Sequence, residues 1–469
     1  MLEFAGDQVK QGAPEEPRPQ QWFALRRAHQ LIRSGQRRMA FELACELSHV
    51  HATRADWHDA LGSLFTHCED PERAATFFSR AVELEPQNPG YQYNLATAQR
   101  MVGDFRAAEV TLDRVIALNP RDSHAYYTRA DLRTQTRELN HVSQLTRLLD
   151  KPNVSVSQET FIRFALGKEL EDLGRYDEAF EQFKVGCDLE RRRITYSVTD
   201  DVATLREIMS QHHGPALQSH TDLESHECIF VCGLPRTGTT LVERILAAHK
   251  DVASIGESPA FAVETISAVR RQFGRVPPKG ELARLSLELD PRVLGLSYLQ
   301  AARPVSRKLA RFVDKQPLNY LYLGLIRRTL PGAKYIAVIR DPMDTCFALF
   351  KTLFAGAYPF SYDFSDLARY YSAWSLLLRH WQEQLGTALF VIRYEDLVAN
   401  PETMTRSLLQ YCELPWDDAC LAFHNADGPV TTASATQVRQ PLYSSSIGKW
   451  RHYERHLAPL SRMLQERGI

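Results

Sequence analysis

Bulky apolar and small residues return at fixed intervals from Gln20 to Arg191, a stretch that is almost strand-free. One phrase recurs: a turn residue, a gap, a bulky residue, two more residues, then alanine. It is carried by Gly35 and Ala40, Glu69 and Ala74, Gly103 and Ala108, and Gly174 and Ala179. The first three copies lie 34 residues apart, and Pro86 and Pro120 close successive units at the same distance. Leu61, Leu95, Phe78 and Leu112 supply a buried face at equivalent positions, and the small Ala74 and Ala108 stand where paired helices approach closely. The unit between about Asp122 and Pro152 is degenerate, and the one from Phe161 to Arg191 is clear again.

After a bridging helical segment, VTDDVATLREIMSQHH, the pattern changes to short apolar strands alternating with helices. CIFVCG, RFVDKQ, KYIAVIRD and LFVIRYEDL are the candidate strands. Near-continuous apolar strands separated by helices predict a parallel sheet covered on both faces, with ligands at the carboxyl ends of its strands. Those ends carry Arg236, Lys315, Arg340 and Glu395. Three cations on one sheet edge predict a small polyanionic ligand. The first strand runs into GLPRTGTT, which keeps the glycine spacing of a phosphate-binding loop at Gly233 and Gly238 but has Thr239 where a nucleotide triphosphatase has lysine. A loop that opens a helix points backbone N–H groups at an anion, so Thr237, Gly238, Thr239 and Thr240 are the expected cradle, with Arg236 beside it.

Composition narrows the partners. Lysine plus arginine (56) nearly cancel aspartate plus glutamate (57), so no global positive field exists to hold nucleic acid. The eight cysteines follow no zinc spacing, and no metal is expected. No run approaches the ~20 apolar residues that span a bilayer, and the N-terminus has no apolar signal core. These readings predict a cytoplasmic protein with no membrane span. At 469 residues the chain divides into a disordered tail (1–19), a helical repeat domain (20–195), a helical linker (196–224) and an α/β domain with a P-loop-like parallel sheet (225–469).

The 34-residue period resembles that of tetratricopeptide repeats, which implies a helical solenoid whose concave surface suits a protein partner, a substrate protein or a second copy of the chain. The second half resembles the sulfotransferases that use 3′-phosphoadenosine 5′-phosphosulfate (PAPS), in particular the bacterial group with N-terminal tetratricopeptide repeats. GLPRTGTTLVERIL looks like the 5′-phosphosulfate loop and VIRDPMDTCFALF like the 3′-phosphate segment. RYEDLVANPE and TASATQVRQPLYSSSIGKWRHYERHL look like the C-terminal signature. A sulfuryl group carries less charge than a γ-phosphate, so the lysine and magnesium of a triphosphatase are less needed, and Thr239 becomes intelligible.

The resemblance implies PAPS as donor and an acceptor hydroxyl on a protein or a small molecule. Protein tyrosine is the favoured acceptor, because the segments look most like those of the tyrosylprotein enzymes; a glycan or small-molecule hydroxyl is the alternative. By the same resemblance Glu257 is the base and Lys315 the cation at the leaving group. In the tyrosylprotein enzymes two acidic residues follow the glycine and the second is the base; Ser258 holds that second position here. Arg340 matches the 3′-phosphate arginine, but the serine eight positions on is Ala348, with Lys351 one turn away as its substitute. Tyr394 resembles the aromatic residue near the adenosine. Ser434 and Lys449 keep a 15-residue separation that matches a transition-state serine and a donor-binding lysine. His249 is the alternative base, although a histidine near a helix end commonly serves the dipole. Asp314 reads as a carboxylate orienting Lys315. Two other functions compete: a P-loop kinase or triphosphatase, and a tetratricopeptide scaffold whose second domain has lost activity.

Overall fold

The computed structural model describes residues 16–33, 35–219, 221–223, 225–303, 310–354, 356–425 and 446–469. Internal contacts divide the chain into two compact units, Met1–Pro120 and Arg121–Ile469. The first unit holds α1 (Pro19–Arg33), α2 (Arg37–Leu47), α3 (Ala55–His67), α4 (Pro71–Leu84), α5 (Pro89–Val102) and α6 (Phe105–Leu118). Asp70, Asn88 and Asp104 cap their helices by accepting from first-turn amides, which satisfies donors that no helical carbonyl can reach. The turn residue of the recurring phrase is left-handed in every copy, with φ of 77° at Gly35, 63° at Glu69, 91° at Gly103 and 74° at Gly174. That conformation ends one helix and turns the chain into the next. Trp57, Leu61, Leu64 and Phe65 form the fully buried centre of this unit.

The second unit begins with α7 (Ser123–Ala130), α8 (Val142–Leu149), α9 (Val156–Asp172), α10 (Tyr176–Arg193) and α11 (Val198–Gln211). The degenerate stretch of the sequence is the pair α7 and α8, each only eight residues long. The α9–α10 pair repeats the packing of the first unit. A Cβ on Gly62 of α3 would stand 2.7 Å from the ring of Phe78 on α4, and one on Gly167 of α9 would stand 2.7 Å from the ring of Phe183 on α10. In each pair a hydrogen atom on one helix leaves room for a phenyl ring on the other.

The chain then alternates: β1 (Cys228–Cys232), α12 (Thr239–Ala247), β2 (Val252–Ser254), α13 (Ala260–Phe273), α14 (Lys279–Leu285), α15 (Pro291–Ala302), β3 (Arg311–Asp314) and α16 (Leu323–Thr329). It finishes with β4 (Lys334–Ile339), α17 (Pro342–Phe350), α18 (Phe364–Leu385), β5 (Leu389–Arg393), α19 (Tyr394–Ala399), α20 (Pro401–Tyr411) and α21 (Glu454–Gln465). All strand pairs are parallel and the order is β2-β3-β1-β4-β5. The fold class read from the sequence is the one observed: a helical repeat region followed by a parallel-sheet α/β domain. The four candidate strands are β1, β3, β4 and β5; the three-residue β2 is an addition to them. Central β1 is buried along its whole length, with Ile229 in register with Val313 on one side and Lys334 on the other.

Helix α10 packs directly on this α/β layer. The Cys187 thiol donates to the Phe350 carbonyl at 3.1 Å, Phe180 stacks on His456 with ring centroids 4.4 Å apart, and Arg191 pairs with Asp366 at 3.0 Å. All eight cysteines are free thiols. Among the described residues no helix is long and apolar enough to cross a membrane.

Replacing Gly167 with valine forces side-chain volume into the Phe183 ring and is expected to destabilise the second unit by about 1–3 kcal/mol. Adding Phe183→Leu to that variant should restore part of the loss, as read from chemical unfolding of the single and double variants; strict additivity would show that the two positions do not share the contact.

Candidate active site at the carboxyl edge of the sheet

The carboxyl ends of β1, β3, β4 and β5 bring most of the sequence-predicted residues to one edge. After β1 the backbone turns through Gly233 (φ 153°), Arg236 (φ 69°) and Gly238 (φ 103°) before α12 starts at Thr239. Two close approaches exclude side chains here. A Cβ on Gly233 would lie 2.5 Å from the Val338 carbonyl oxygen, and one on Gly238 would lie 2.6 Å from the Tyr394 ring. Arginine seldom adopts a positive φ, so Arg236 is held in a strained turn. Thr237 is fully buried, and its hydroxyl donates to the Leu234 carbonyl at 2.7 Å, tying the loop to itself. Thr239 and Thr240 are buried at the mouth of α12.

Lys315, the first residue past β3, is wholly buried. Its ammonium meets Glu257 Oε1 at 2.6 Å and Glu243 Oε2 at 3.5 Å. Burial opposes its charge, but the two carboxylates outweigh burial and raise its pKa. Glu257 has 38% of its side chain exposed, so the carboxylate opens to solvent while the ammonium lies beneath it. Ser258 is buried and accepts from the Ala260 amide at 3.3 Å, so Glu257 is the residue of that pair that meets the lysine. Asp314 accepts from Tyr298 at 2.8 Å and Asn319 at 2.9 Å within the core. His249 is almost fully buried; its Nδ1 accepts from the Asp251 amide at 3.1 Å, which leaves Nε2 to donate to the Pro415 carbonyl at 3.0 Å. Both ring nitrogens are therefore engaged in holding structure.

Beyond β4, Arg340 donates to the Arg236 carbonyl at 3.1 Å and to the Ser446 carbonyl, and lies 4.8 Å over the Tyr394 ring. Its Nε is buried without a hydrogen-bond partner among the described residues, a donor whose isolation is costly unless a ligand satisfies it. Ala348 lies buried on α17. Lys351, at the end of α17, donates to both oxygens of Glu171 on α9 at 2.7 and 2.8 Å. Lys449 donates to the same carboxylate at 2.8 Å, and the Tyr453 hydroxyl donates to it at 2.9 Å. Ser434 lies outside the described residues, as do Gln437, Val438 and Pro441.

One carboxylate thus serves two ammoniums. Burial pushes the Glu171 carboxyl up, but Lys351 and Lys449 outweigh it and hold it down at about 2. Lys351 ends at about 8: burial lowers it, and neighbouring Lys449 and Arg236 lower it further against the pull of Glu171. The cluster keeps a surplus of positive charge.

Several residues of this edge carry no motif in the sequence. Glu171 and Glu243 pair with lysines far away in the chain, and nothing local marks them. Asp344 was legible in principle, in the first turn of α17 and four residues after Arg340. It lies 3.9 Å from Arg340 and accepts from the Gly448 and Trp450 amides at 2.6 and 3.3 Å. Tyr358, left-handed at φ 51°, is half-buried, and that burial, followed by the charge of Glu257, raises its pKa. A bulky aromatic residue in that conformation marks backbone strain.

Residues 228–418 match the family model described as "Sulfotransferase family", and residues 69–132 match the one described as "Tetratricopeptide repeat". The chain is 30% identical over 404 residues to an uncharacterised protein of Aquifex aeolicus (strain VF5), covering 84% of this chain and 52% of that protein. It is 26% identical over 237 residues to protein-tyrosine sulfotransferase 1 of Danio rerio, covering 47% of this chain and 65% of the relative. The chain thus spans between about half and two thirds of the length of these relatives. Among solved structures, a sulfotransferase domain from the curacin biosynthetic pathway aligns with a TM-score of 0.34 at 18% identity, over 51% of this chain and 99% of that one.

The depressed Glu171 carboxyl makes a pH prediction. Its folded value lies below its ordinary value of 4.5, so its stabilisation is fully present above pH 4.5 and is lost as pH falls toward 2. The contribution is on the order of 3 kcal/mol, since each tenfold gain in acidity is worth about 1.36 kcal/mol. Thermal melts between pH 6 and pH 2 should show a steep acid loss in the wild type and a shallower one in Glu171→Gln.

Proposed function

We propose, with residues 228–418 taken as a sulfotransferase-family domain behind tetratricopeptide repeats, that the protein transfers the sulfuryl group of PAPS to an acceptor hydroxyl. The observation that carries this reading is the Glu257–Lys315 pair, 2.6 Å apart at the sheet edge that also holds the glycine loop. In-line transfer needs a base for the acceptor proton and a cation at the departing phosphate oxygen. Glu257, open to solvent, takes the proton; Lys315, buried behind it, steadies the leaving oxygen.

The remaining residues fit the donor. Thr237, Gly238, Thr239 and Thr240, with Arg236, cradle the 5′ end at the mouth of α12, where backbone amides favour an anion. Arg340, whose Nε has no hydrogen-bond partner among the described residues, is assigned to the 3′-phosphate, with Lys351 and Lys449 alongside. Tyr394, packed on Gly238 and beneath Arg340, walls the nucleotide. Ser434 is assigned to the transition state by its spacing from Lys449. The chemistry supplied by PAPS is its activated sulfuryl group, and no metal is needed for it in this reading.

Protein tyrosine is the favoured acceptor. Support comes from the activity that the Danio rerio relative is named for and from the strained Tyr358, an aromatic ring within the electrostatic reach of Glu257 and of a kind suited to a phenol. The repeats of residues 20–195 are assigned to holding a protein, the acceptor itself or a partner.

The test is transfer from radiolabelled PAPS to acidic tyrosine peptides and to a panel of hydroxylated small molecules. Glu257→Gln should lower turnover by about 10²–10⁴-fold while calorimetric binding of adenosine 3′,5′-bisphosphate stays near wild type. Turnover retained in that variant would move the base elsewhere, and transfer only to small molecules would remove tyrosine as the acceptor.

A further inference from the structure

We propose that Glu171, on helix α9 outside the sulfotransferase-family match, is a positioning residue of the donor site: it sets Lys351 and Lys449 side by side to receive the 3′-phosphate. The inference rests on the function proposed above and adds a residue that neither the family match nor the sequence motifs contain.

Geometry carries it. Glu171 sits in the long helix α9, packed against α10, and its side chain is only 7% exposed. Its oxygens are filled by Lys351, Lys449 and Tyr453. Each ammonium has three donors. Lys351 spends two on Glu171 and Lys449 one, so both lysines keep donors for another acceptor.

Charge points the same way. Lys351 faces Glu171 from α9, Lys449 and Tyr453 from the C-terminal segment, and Arg236 from the glycine loop, with the Phe347 ring 5.1 Å away. Arg340 joins the group through the Arg236 carbonyl and is partnered by Asp344. Lys351, Lys449, Arg236 and Arg340 thus gather here, with the carboxylates of Glu171 and Asp344 among them, and a concentration of cations suits a phosphate monoester. Without Glu171, the partly buried ammoniums of Lys351 and Lys449 would repel with no carboxylate between them, and Lys351, already lowered to about 8, would be lowered further. A carboxylate at this place thus keeps both lysines charged and apart.

Calorimetry on the full chain tests this with adenosine 3′,5′-bisphosphate and adenosine 5′-monophosphate as probes. At pH 7 the wild type should prefer the bisphosphate. Glu171→Gln should reduce that preference about tenfold or more, the worth of a charge-assisted contact, while leaving monophosphate binding unchanged. The preference should return as pH is lowered to 6, and Glu171→Asp should keep part of it. A purely structural role would weaken both nucleotides together. A full preference in folded Glu171→Gln at pH 7 overturns the proposal. If the variant does not fold, the wild type decides: its preference should fall as pH rises through about 8, and a flat preference from about pH 7 to pH 9.5 overturns the proposal. Binding of both nucleotides without preference overturns this inference alone, whereas binding of neither overturns the sulfotransferase reading as well.

Discussion

Positive charge gathered at one edge of a parallel sheet has to be held in place before any anion arrives. Like charges this close repel, and burial penalises each of them. Carboxylates perform the holding: Glu257 with Glu243 for Lys315, Asp344 for Arg340, and Glu171 for Lys351 and Lys449. At Glu171 one carboxylate stands against two ammoniums and does not cancel them completely. The result is a preorganised, partly neutralised basin, in which the cost of assembling cations is met by folding and not by ligand binding.

The same carboxylates fix backbone. Asp344 accepts from the amides of Gly448 and Trp450, Arg340 donates to the Ser446 carbonyl, and the hydroxyls of Tyr394 and Ser446 meet at 2.7 Å. Together with Glu171 they pin residues 446–453 over α17. Residues 446–453 are thereby part of the same sheet edge, although they contribute no strand to the sheet.

Much of the architecture was legible because it rests on local signals. Four strands announced themselves as apolar runs that end at a polar residue, whereas β2, three residues at the sheet margin, offers too short a run to read. The repeating turn was visible because a left-handed φ favours glycine, and Glu69 kept the place in the phrase without the residue type. Arg340 and Lys315 could be found as strand-end cations. Glu257 was reached only through family resemblance, since its partner lies 58 positions away. Glu171 could not be found at all: in KELEDLGRYDEA it looks like one more acid of a solvated helix, and only the fold brings α17 and the C-terminal segment to it. The Ala348 position, read as a lost hydroxyl, is buried on the same helix as a lysine whose hydrogen bonds run to that glutamate.

The ion cluster on α9 also changes where this chain can be cut and rejoined. The boundary suggested by the motifs, near residue 225, would leave Lys351 and Lys449 without their shared counter-ion and would expose the faces of α17 and α21 on which Phe180 and Cys187 pack. The division of the chain by internal contacts falls at Pro120. An α/β module transplanted onto another repeat array keeps this ion cluster only if it travels with α9 and α10.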